Sequence, residues 1–514
     1  MSQALQQSLG ESEVFELVCD YLRSRKFYKA EQALLHERRL AMENSSYDTD
    51  GLRDQASSAA IPAPLKPSLL ESLLERSYVT NFVSGEGEEE EHEHKRNRSH
   101  LDGTVDDVTL AEPDHVDDDA DEVYGLSTQL VSFEACKDDP YGSATMPIYQ
   151  TSTFAQKSAT EFGAYDYTRS GNPTRAALER QMAELEKGHR AFAFTSGMAA
   201  LSTISRLAKA GEHIVLSDDS YGGTYRLLSK LTAKNGVHVK YVDLSGPAGP
   251  ANLRAALNYE TKLVMMESPT NPMQRICDIA ALAAVSHEFG ALLSVDNTMM
   301  SPILQNPLDL GADICMHSAT KFVCGHSDTM SGIVIAKDPE LCRDLYFVQN
   351  AEGTGLAPMD CWLLLRGVKT MGLRVLTAQS NAMRVASFLH AHPAVTKVYY
   401  AGLPSYKDKA IHDKQARGAG SVITFCTGDL KLSQHIVTNT KLFKITVKNT
   451  IVSFGSVNSL ISLPGVMSHA SIPEEVRKAR SFPEDLIRLS IGIEDIQDLI
   501  NDLQRAFQSF STSA

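Results

Sequence analysis

Met316-His317-Ser318-Ala319-Thr320-Lys321-Phe322 follows Ser294-Val295-Asp296-Asn297-Thr298, so that Lys321 stands 25 positions after Asp296. A lysine amine can form a Schiff base with an aldehyde. A carboxylate at the end of an apolar run can hold a protonated pyridine nitrogen. Pyridoxal 5′-phosphate (PLP) needs both groups, because its ring withdraws electrons only while that nitrogen stays positive. Either residue alone reads as an ordinary surface lysine or strand-end aspartate; their joint placement is what carries chemistry.

The surroundings repeat one pattern. Ala191-Phe192-Ala193-Phe194 ends in Thr195-Ser196-Gly197-Met198, and His213-Ile214-Val215-Leu216 ends in Ser217-Asp218-Asp219-Ser220-Tyr221-Gly222-Gly223. Leu263-Val264-Met265-Met266 ends in Glu267-Ser268-Pro269-Thr270-Asn271-Pro272, Leu292-Leu293-Ser294-Val295 in Asp296, and Asp313-Ile314-Cys315-Met316 in His317-Ser318. Short unbroken apolar runs alternating with helical patterns read as buried parallel strands of an α/β domain. Ligands bind outside the carboxyl ends of such strands, where these polar residues fall.

Each run end offers chemistry of its own. Ser196-Gly197-Met198 opens an alanine-rich helical stretch whose first N–H groups suit a phosphate. Ser318 and Thr320 add hydroxyl donors. Tyr221, followed by two glycines that permit close backbone approach, suits stacking on a flat ring. Ser318-x-x-Lys321 also matches a serine β-lactamase signature, but the partner motifs of that signature are missing.

Residues from about Tyr124 to Phe510 resemble the cystathionine-processing branch of the fold-type I PLP enzymes, the Cys/Met-metabolism family. The resemblance is carried by Tyr165-Asp166-Tyr167-Thr168-Arg169-Ser170-Gly171-Asn172-Pro173-Thr174, the Ser196-Gly197-Met198 turn, Glu267 to Pro272, Ser318 to Lys321, and Leu486-Ile487-Arg488-Leu489-Ser490-Ile491-Gly492-Ile493-Glu494-Asp495. Phe347 to Pro358 and Asp360-Cys361-Trp362 resemble the plant-type β-lyases of that branch. The implied fold is a mainly parallel seven-stranded sheet with flanking helices, joined to a smaller α+β C-terminal domain. The implied boundaries are an N-terminal arm and PLP domain over 123–376 and a C-terminal domain over 377–514.

The resemblance also implies roles. Lys321 would hold the cofactor and carry the α-proton to the leaving group, and Asp296 would pair with the ring nitrogen. Tyr221 would stack on the ring and act in proton transfer. Gly197, Met198, Thr298, Ser318 and Thr320 would bind the cofactor within the subunit, and Tyr167 and Arg169 would reach the same phosphate from a neighbouring one. Arg488, helped by Ser453, Asn271 and Tyr221, would grip the carboxylate of an amino-acid substrate. The implied reaction is β-cleavage of cystathionine to homocysteine, pyruvate and ammonia, in the direction of methionine. γ-Cleaving and γ-replacing relatives are the alternative; they carry an acid before the serine that corresponds to Ser453, where this chain has Val452. The segment Lys448-Asn449-Thr450-Ile451-Val452 is about five residues longer than in relatives.

Charge divides the chain. Residues 1–122 hold 28 Asp and Glu against 12 Lys and Arg, a net of −16, whereas the whole chain carries −15. Residues 46–122 therefore read as an acidic, mostly disordered linker whose sign disfavours nucleic acid. Residues 1–45 resemble a LisH module. Val14, Leu17, Val18, Tyr21 and Leu22, then Phe27 to Leu35, fit two amphipathic helices that associate with a copy or a protein partner. A rival reading makes the chain chiefly a scaffold subunit with a retained enzyme fold. The implied assembly is a homo-oligomer, a dimer of dimers. Eight scattered cysteines give no zinc or disulfide pattern, and no apolar run reaches the ~18 residues of a membrane span. The acidic start lacks an Arg-rich amphipathic leader, which sets cytoplasm as the expectation.

Overall fold

The computed structural model describes residues 124–132, 139, 141–445, 453–467, 475 and 482–511. The LisH-like segment, the acidic linker and residues 446–452, including Val452, lie outside the described residues.

Seven strands form one sheet: β1 (Arg190–Phe194), β2 (His213–Ser217), β3 (His238–Val242), β4 (Thr261–Glu267), β5 (Leu292–Asp296), β6 (Ile314–His317) and β7 (Gly332–Ala336). Their order is β3-β2-β4-β5-β6-β7-β1. The pairs from β3 to β6 are parallel, and β7 runs antiparallel to both of its neighbours. All five apolar runs read from the sequence are strands of this sheet. The sequence reading did not include β3 and β7.

The unbroken apolar runs have a simple cause: both faces of the sheet are covered. Side chains alternate between two cores, as the two-residue repeat of a strand requires. Ala191, Ala193, Val215, Leu293, Val295, Cys315 and Ile333 join one core with Leu178 and Met182 of helix α1 (Pro173–Glu186). Phe192, Phe194, Leu216, Met265, Met316 and Val334 join the other with Leu201 and Ile204 of helix α2 (Gly197–Ser205). α1 starts where Asn172 accepts from Thr174 N at 3.0 Å, with Pro173 in the first helical position.

A second, mainly antiparallel sheet follows: β8 (Lys397–Tyr399), β9 (Val422–Cys426), β10 (Lys444–Ile445), β11 (Leu460–Ser462) and β12 (Ile487–Ser490), ordered β10-β11-β12-β9-β8. Phe425, Ile423, Ile487 and Leu489 pack there against Leu499, Leu503 and Phe507 of helix α4 (Ile496–Ser511). Helix α3 (Met371–Ala391) runs unbroken between the two sheets and spans the 376/377 position read as a boundary. Among the described residues no helix is long and apolar enough to cross a membrane.

Candidate active site

The polar ends of β1, β2, β4, β5 and β6 meet at one cleft of about 750 Å³, its mouth included. It is lined by Ser196, Gly197 and Met198 after β1, Tyr221 after β2, Glu267 and Asn271 at the end of β4 and beyond it, and Asp296 and Thr298 at the end of β5 and beyond it. Ser318, Thr320 and Lys321 follow β6. Residues separated by more than a hundred positions converge because neighbouring parallel strands end side by side.

Lys321 is 8% exposed, and its Nζ donates to Ser453 Oγ at 3.1 Å. Burial, and then the nearby Arg488 guanidinium, lower its pKa to about 8. The amine lies 5.3 Å from the centre of the Phe454 ring. Gly455 makes this approach possible: its φ of +76° is in the left-handed region, and a Cβ there would lie 2.9 Å from Phe322 N.

Asp296 ends β5 and is the register partner of Met316. Its Oδ1 accepts from Thr298 N at 3.0 Å and from the Thr298 hydroxyl. Thr298 Oγ1 in turn accepts from Ser318 N at 2.7 Å, which links the β5 and β6 ends. Glu267, opposite Asp296 in register, is a second carboxyl at this site and is buried. Burial and the Asp296 charge push it well above the ordinary carboxylate range. Burial also raises Asp296 above its ordinary value, and the Thr298 hydrogen bonds and the Lys321 charge oppose that rise.

Helix α2 begins at the cleft. Ser196 caps it by accepting from Ala199 N at 3.1 Å, which leaves earlier N–H groups of the first turn facing the cavity. Gly197 packs so closely that a Cβ would lie 3.1 Å from Ser318 Cβ and Oγ. Thr320 Oγ1 is tied to Ser331, donating to its O at 3.2 Å and accepting from its N at 2.9 Å. The Tyr221 backbone donates to Glu267 Oε1 at 2.6 Å. Its ring packs on Gly223, where a Cβ would fall 2.3 Å from Tyr221 Cε1. Burial raises the Tyr221 phenol.

Arg488, on β12 of the second sheet, is 2% exposed. It donates to Asn271 Oδ1 at 2.9 Å and to Ser453 O at 3.2 Å, and its guanidinium carbon lies 5.4 Å from the Phe454 ring centre. Burial lowers its pKa to about 10, so it stays charged at neutral pH. Thus Arg488, Ser453, Asn271 and Lys321 form one connected group. Tyr167 and Arg169 do not line the cleft of their own chain. Arg169 instead donates to Asn350 O and Oδ1, each at 2.9 Å. The sequence reading gave no role to Phe454 or Glu267. Glu267 stands at the polar end of a quoted run, whereas Phe454 has no signal until the fold sets its ring beside Lys321 and Arg488.

A phosphorylated pyridine aldehyde fits this donor set. The cleft has a helix start and hydroxyls at one side, a half-buried carboxylate at the end of β5, and an amine of lowered pKa. Fold and site together define a PLP-dependent fold-type I enzyme. The chain belongs to the Cys/Met metabolism PLP-dependent enzyme family, whose pattern it matches over residues 127–508. It is 56% identical over 385 residues to the chloroplastic cystathionine β-lyase of Arabidopsis thaliana, covering 75% of this chain and 81% of that one. It is 54% identical over 404 residues to the chloroplastic cystathionine β-lyase of Mimosa pudica, covering 78% and 86%. The solved cystathionine γ-lyase of Lactobacillus plantarum, complexed with L-serine, superposes with a TM-score of 0.72 at 40% identity, covering 76% and 100%. The cofactor is pyridoxal 5′-phosphate.

One expectation is corrected. The acidic start set cytoplasm as the compartment, yet both plant relatives are chloroplastic enzymes. The inference failed because a compartment address is read by a receptor and is not set by the fold or the net charge. The acidity of residues 1–122 belongs to a segment outside the family match, which begins at residue 127.

Proposed function

We infer that this chain is a PLP-dependent carbon–sulfur β-lyase that cleaves L-cystathionine to homocysteine, pyruvate and ammonia in methionine biosynthesis. The observation that carries the reading is one cleft lined by a buried lysine of lowered pKa and a half-buried aspartate, with the buried Arg488 bonded to its wall residue Asn271. It occurs in a chain 54–56% identical to enzymes of that name. The chloroplast assignment of those relatives makes the plastid the compartment of this reading.

The cofactor, when bound, supplies an electron sink for the bond-breaking at the substrate's α-carbon. The chain's own groups do the rest. Gly197, Met198, Ser318 and Thr320 would hold the phosphate, Asp296, fixed by Thr298, would pair with the ring nitrogen, and Tyr221 would pack on the ring. Arg488 receives the substrate carboxylate on a planar guanidinium that Asn271 and the Ser453 carbonyl keep in place. Lys321 Nζ is the base. A pKa near 8 leaves an appreciable neutral fraction at slightly alkaline pH, so it takes the α-proton and returns it to the departing sulfur. The β carbon–sulfur bond breaks, homocysteine leaves, and the three-carbon remainder is hydrolysed to pyruvate and ammonia.

The finer assembly is part of the same reading. The enzyme is a homotetramer, a dimer of dimers, in which Tyr167 and Arg169 of one subunit complete the phosphate site of another. Residues 1–45 act as a LisH-type association module. Product identification tests the reaction. Pyruvate as the main keto acid from L-cystathionine supports β-cleavage; 2-oxobutyrate, or γ-replacement in the presence of cysteine, overturns it.

A further inference from the structure

A buried polar cluster lies directly behind the cleft, on the opposite face of the sheet. Along β5 and its continuation, Asp296 points to the cleft and Asn297 away from it. Along β6, Met316 and Ser318 line the cleft and Cys315 and His317 face the other way, as strand alternation dictates. Glu186, the last residue of α1, receives all of these backs. Its Oε1 accepts from His317 Nε2 at 2.7 Å and from Asn297 Nδ2 at 2.9 Å, and its Oε2 from Asn306 Nδ2 at 3.0 Å. Asn297 Nδ2 also donates to Gln305 O at 2.8 Å, and Gln305 Nε2 returns a bond to Asn297 Oδ1 at 3.2 Å. Glu186 and Asn297 are fully buried, and His317 nearly so.

Glu186, Cys315 and His317 present ligand-type atoms within 4.8 Å of one another, a spacing that a metal ion would accept. The hydrogen bonds decide against that use. Glu186 Oε1 already takes two N–H donors and Oε2 a third, so the carboxyl group works as a hub. Its two closest partners are the residue after Asp296 and the residue before Ser318. These are the neighbours of the ring-nitrogen and phosphate anchors, on adjacent strands.

We propose that Glu186 and His317 are positioning residues: they brace the ends of β5 and β6 from behind and thereby fix the separation between Asp296 and Ser318 at the span the cofactor requires. The proposal rests on the assignment of Asp296 and Ser318 to the cofactor. A shift of either strand end would move one anchor relative to the other, and a rigid ring held at both its nitrogen and its phosphate tolerates little such movement.

Replacing the hub by an amide tests this. Glu186→Gln turns one acceptor oxygen into an N–H donor, opposed either to His317 and Asn297 or, with the amide turned over, to Asn306. His317→Gln removes the partner on the β6 side alone. Cofactor dissociation constants are measured on apoenzymes reconstituted with PLP, and visible circular dichroism reports the orientation of the bound ring. Both variants are expected to weaken cofactor binding by roughly tenfold, the loss of one well-made buried hydrogen bond, and to change the visible dichroism. Asp502→Asn serves as the control for general destabilisation. That buried carboxyl accepts from the N–H groups of Lys441, Leu442 and Phe443 in the second domain, and its loss should leave cofactor affinity and dichroism unchanged. Should Glu186→Gln fail to fold, His317→Gln and the shorter Glu186→Asp decide. Folded variants that bind PLP within twofold of the parent overturn the proposal, provided Asp296→Asn lowers affinity in the same assay. If Asp296→Asn also binds normally, the cofactor assignment itself is wrong.

Discussion

Arg488→Lys probes the substrate end of the cleft while keeping its charge. The guanidinium commits one nitrogen to Asn271 Oδ1 and another to the Ser453 carbonyl, and it has a fixed plane from which to present further N–H groups to a carboxylate. A lysine ammonium on its shorter reach cannot keep both anchors and also offer two parallel bonds. One charge-assisted hydrogen bond contributes about 1.5–3 kcal/mol, so kcat/KM for cystathionine should fall by about 10- to 150-fold. The carboxylate contact exists in the bound substrate as well as in the transition state. The loss should therefore appear mainly in KM, with kcat much less affected. Cofactor absorbance of the purified variant checks that the site still assembles. Arg488→Met provides a second arm. The Arg488 charge is the second cause of the low Lys321 pKa, after burial, so its removal should shift the Lys321 midpoint upward from about 8, whereas Arg488→Lys should not. A lysine variant whose kcat/KM stays within about threefold of the parent, or one that loses kcat at constant KM, would refute the carboxylate assignment.

Three further outcomes follow from the geometry. Only a neutral amine adds to an aldehyde, so the rate of PLP capture by apoenzyme should rise with pH and level off just above the Lys321 midpoint of about 8; a rate still climbing steeply at the pKa of an ordinary lysine contradicts the burial argument. Gly223→Ala places a Cβ 2.3 Å from Tyr221 Cε1 and 2.9 Å from Met198 Sδ. Overpacking of that kind costs about 1–3 kcal/mol, so cofactor affinity should drop by roughly fivefold or more, and a dissociation constant within twofold of the parent excludes the ring-packing account. Co-assembly of Arg169→Ala chains with Lys321→Ala chains should regain part of the activity that each lacks alone, because one intact composite site can form. Hybrids as inactive as their parents would mean that Arg169 serves its own subunit, where it already bonds Asn350.

What the sequence disclosed and what it hid have one physical origin. β1, β2, β4, β5 and β6 are covered on both faces, so their central side chains are almost all apolar, and each run gives way to polar residues that face the cleft. That change locates Ser196, Tyr221, Glu267, Asp296 and Ser318 before any coordinates are known. β3 escapes because it is the sheet edge and half-exposed, with His238 and Lys240 breaking the apolar run. β7 is apolar throughout, yet it runs antiparallel, so its carboxyl end lies away from the site. Contacts made across the fold leave no local trace at all. Phe454 meets both cations of the site only because a glycine at 455 lets its loop rest on the Lys321 backbone. Glu186 is harder still to find. In sequence it is one more acidic residue at the end of an amphipathic helix, where solvent would be its expected neighbour. Its meaning depends on the direction in which Asn297 and His317 point, and that is fixed by the residues beside them. Because Asp296 and Ser318 must face the cleft, the alternation of each strand sends Asn297 and His317 to the opposite face, into an interior that would otherwise be apolar. Two buried N–H-bearing side chains there require an acceptor, and the end of α1 is where the chain provides one. The choice of residues in front of the sheet thus constrains the residue behind it, and a buried carboxyl that touches no ligand follows from the chemistry that the other face has to present.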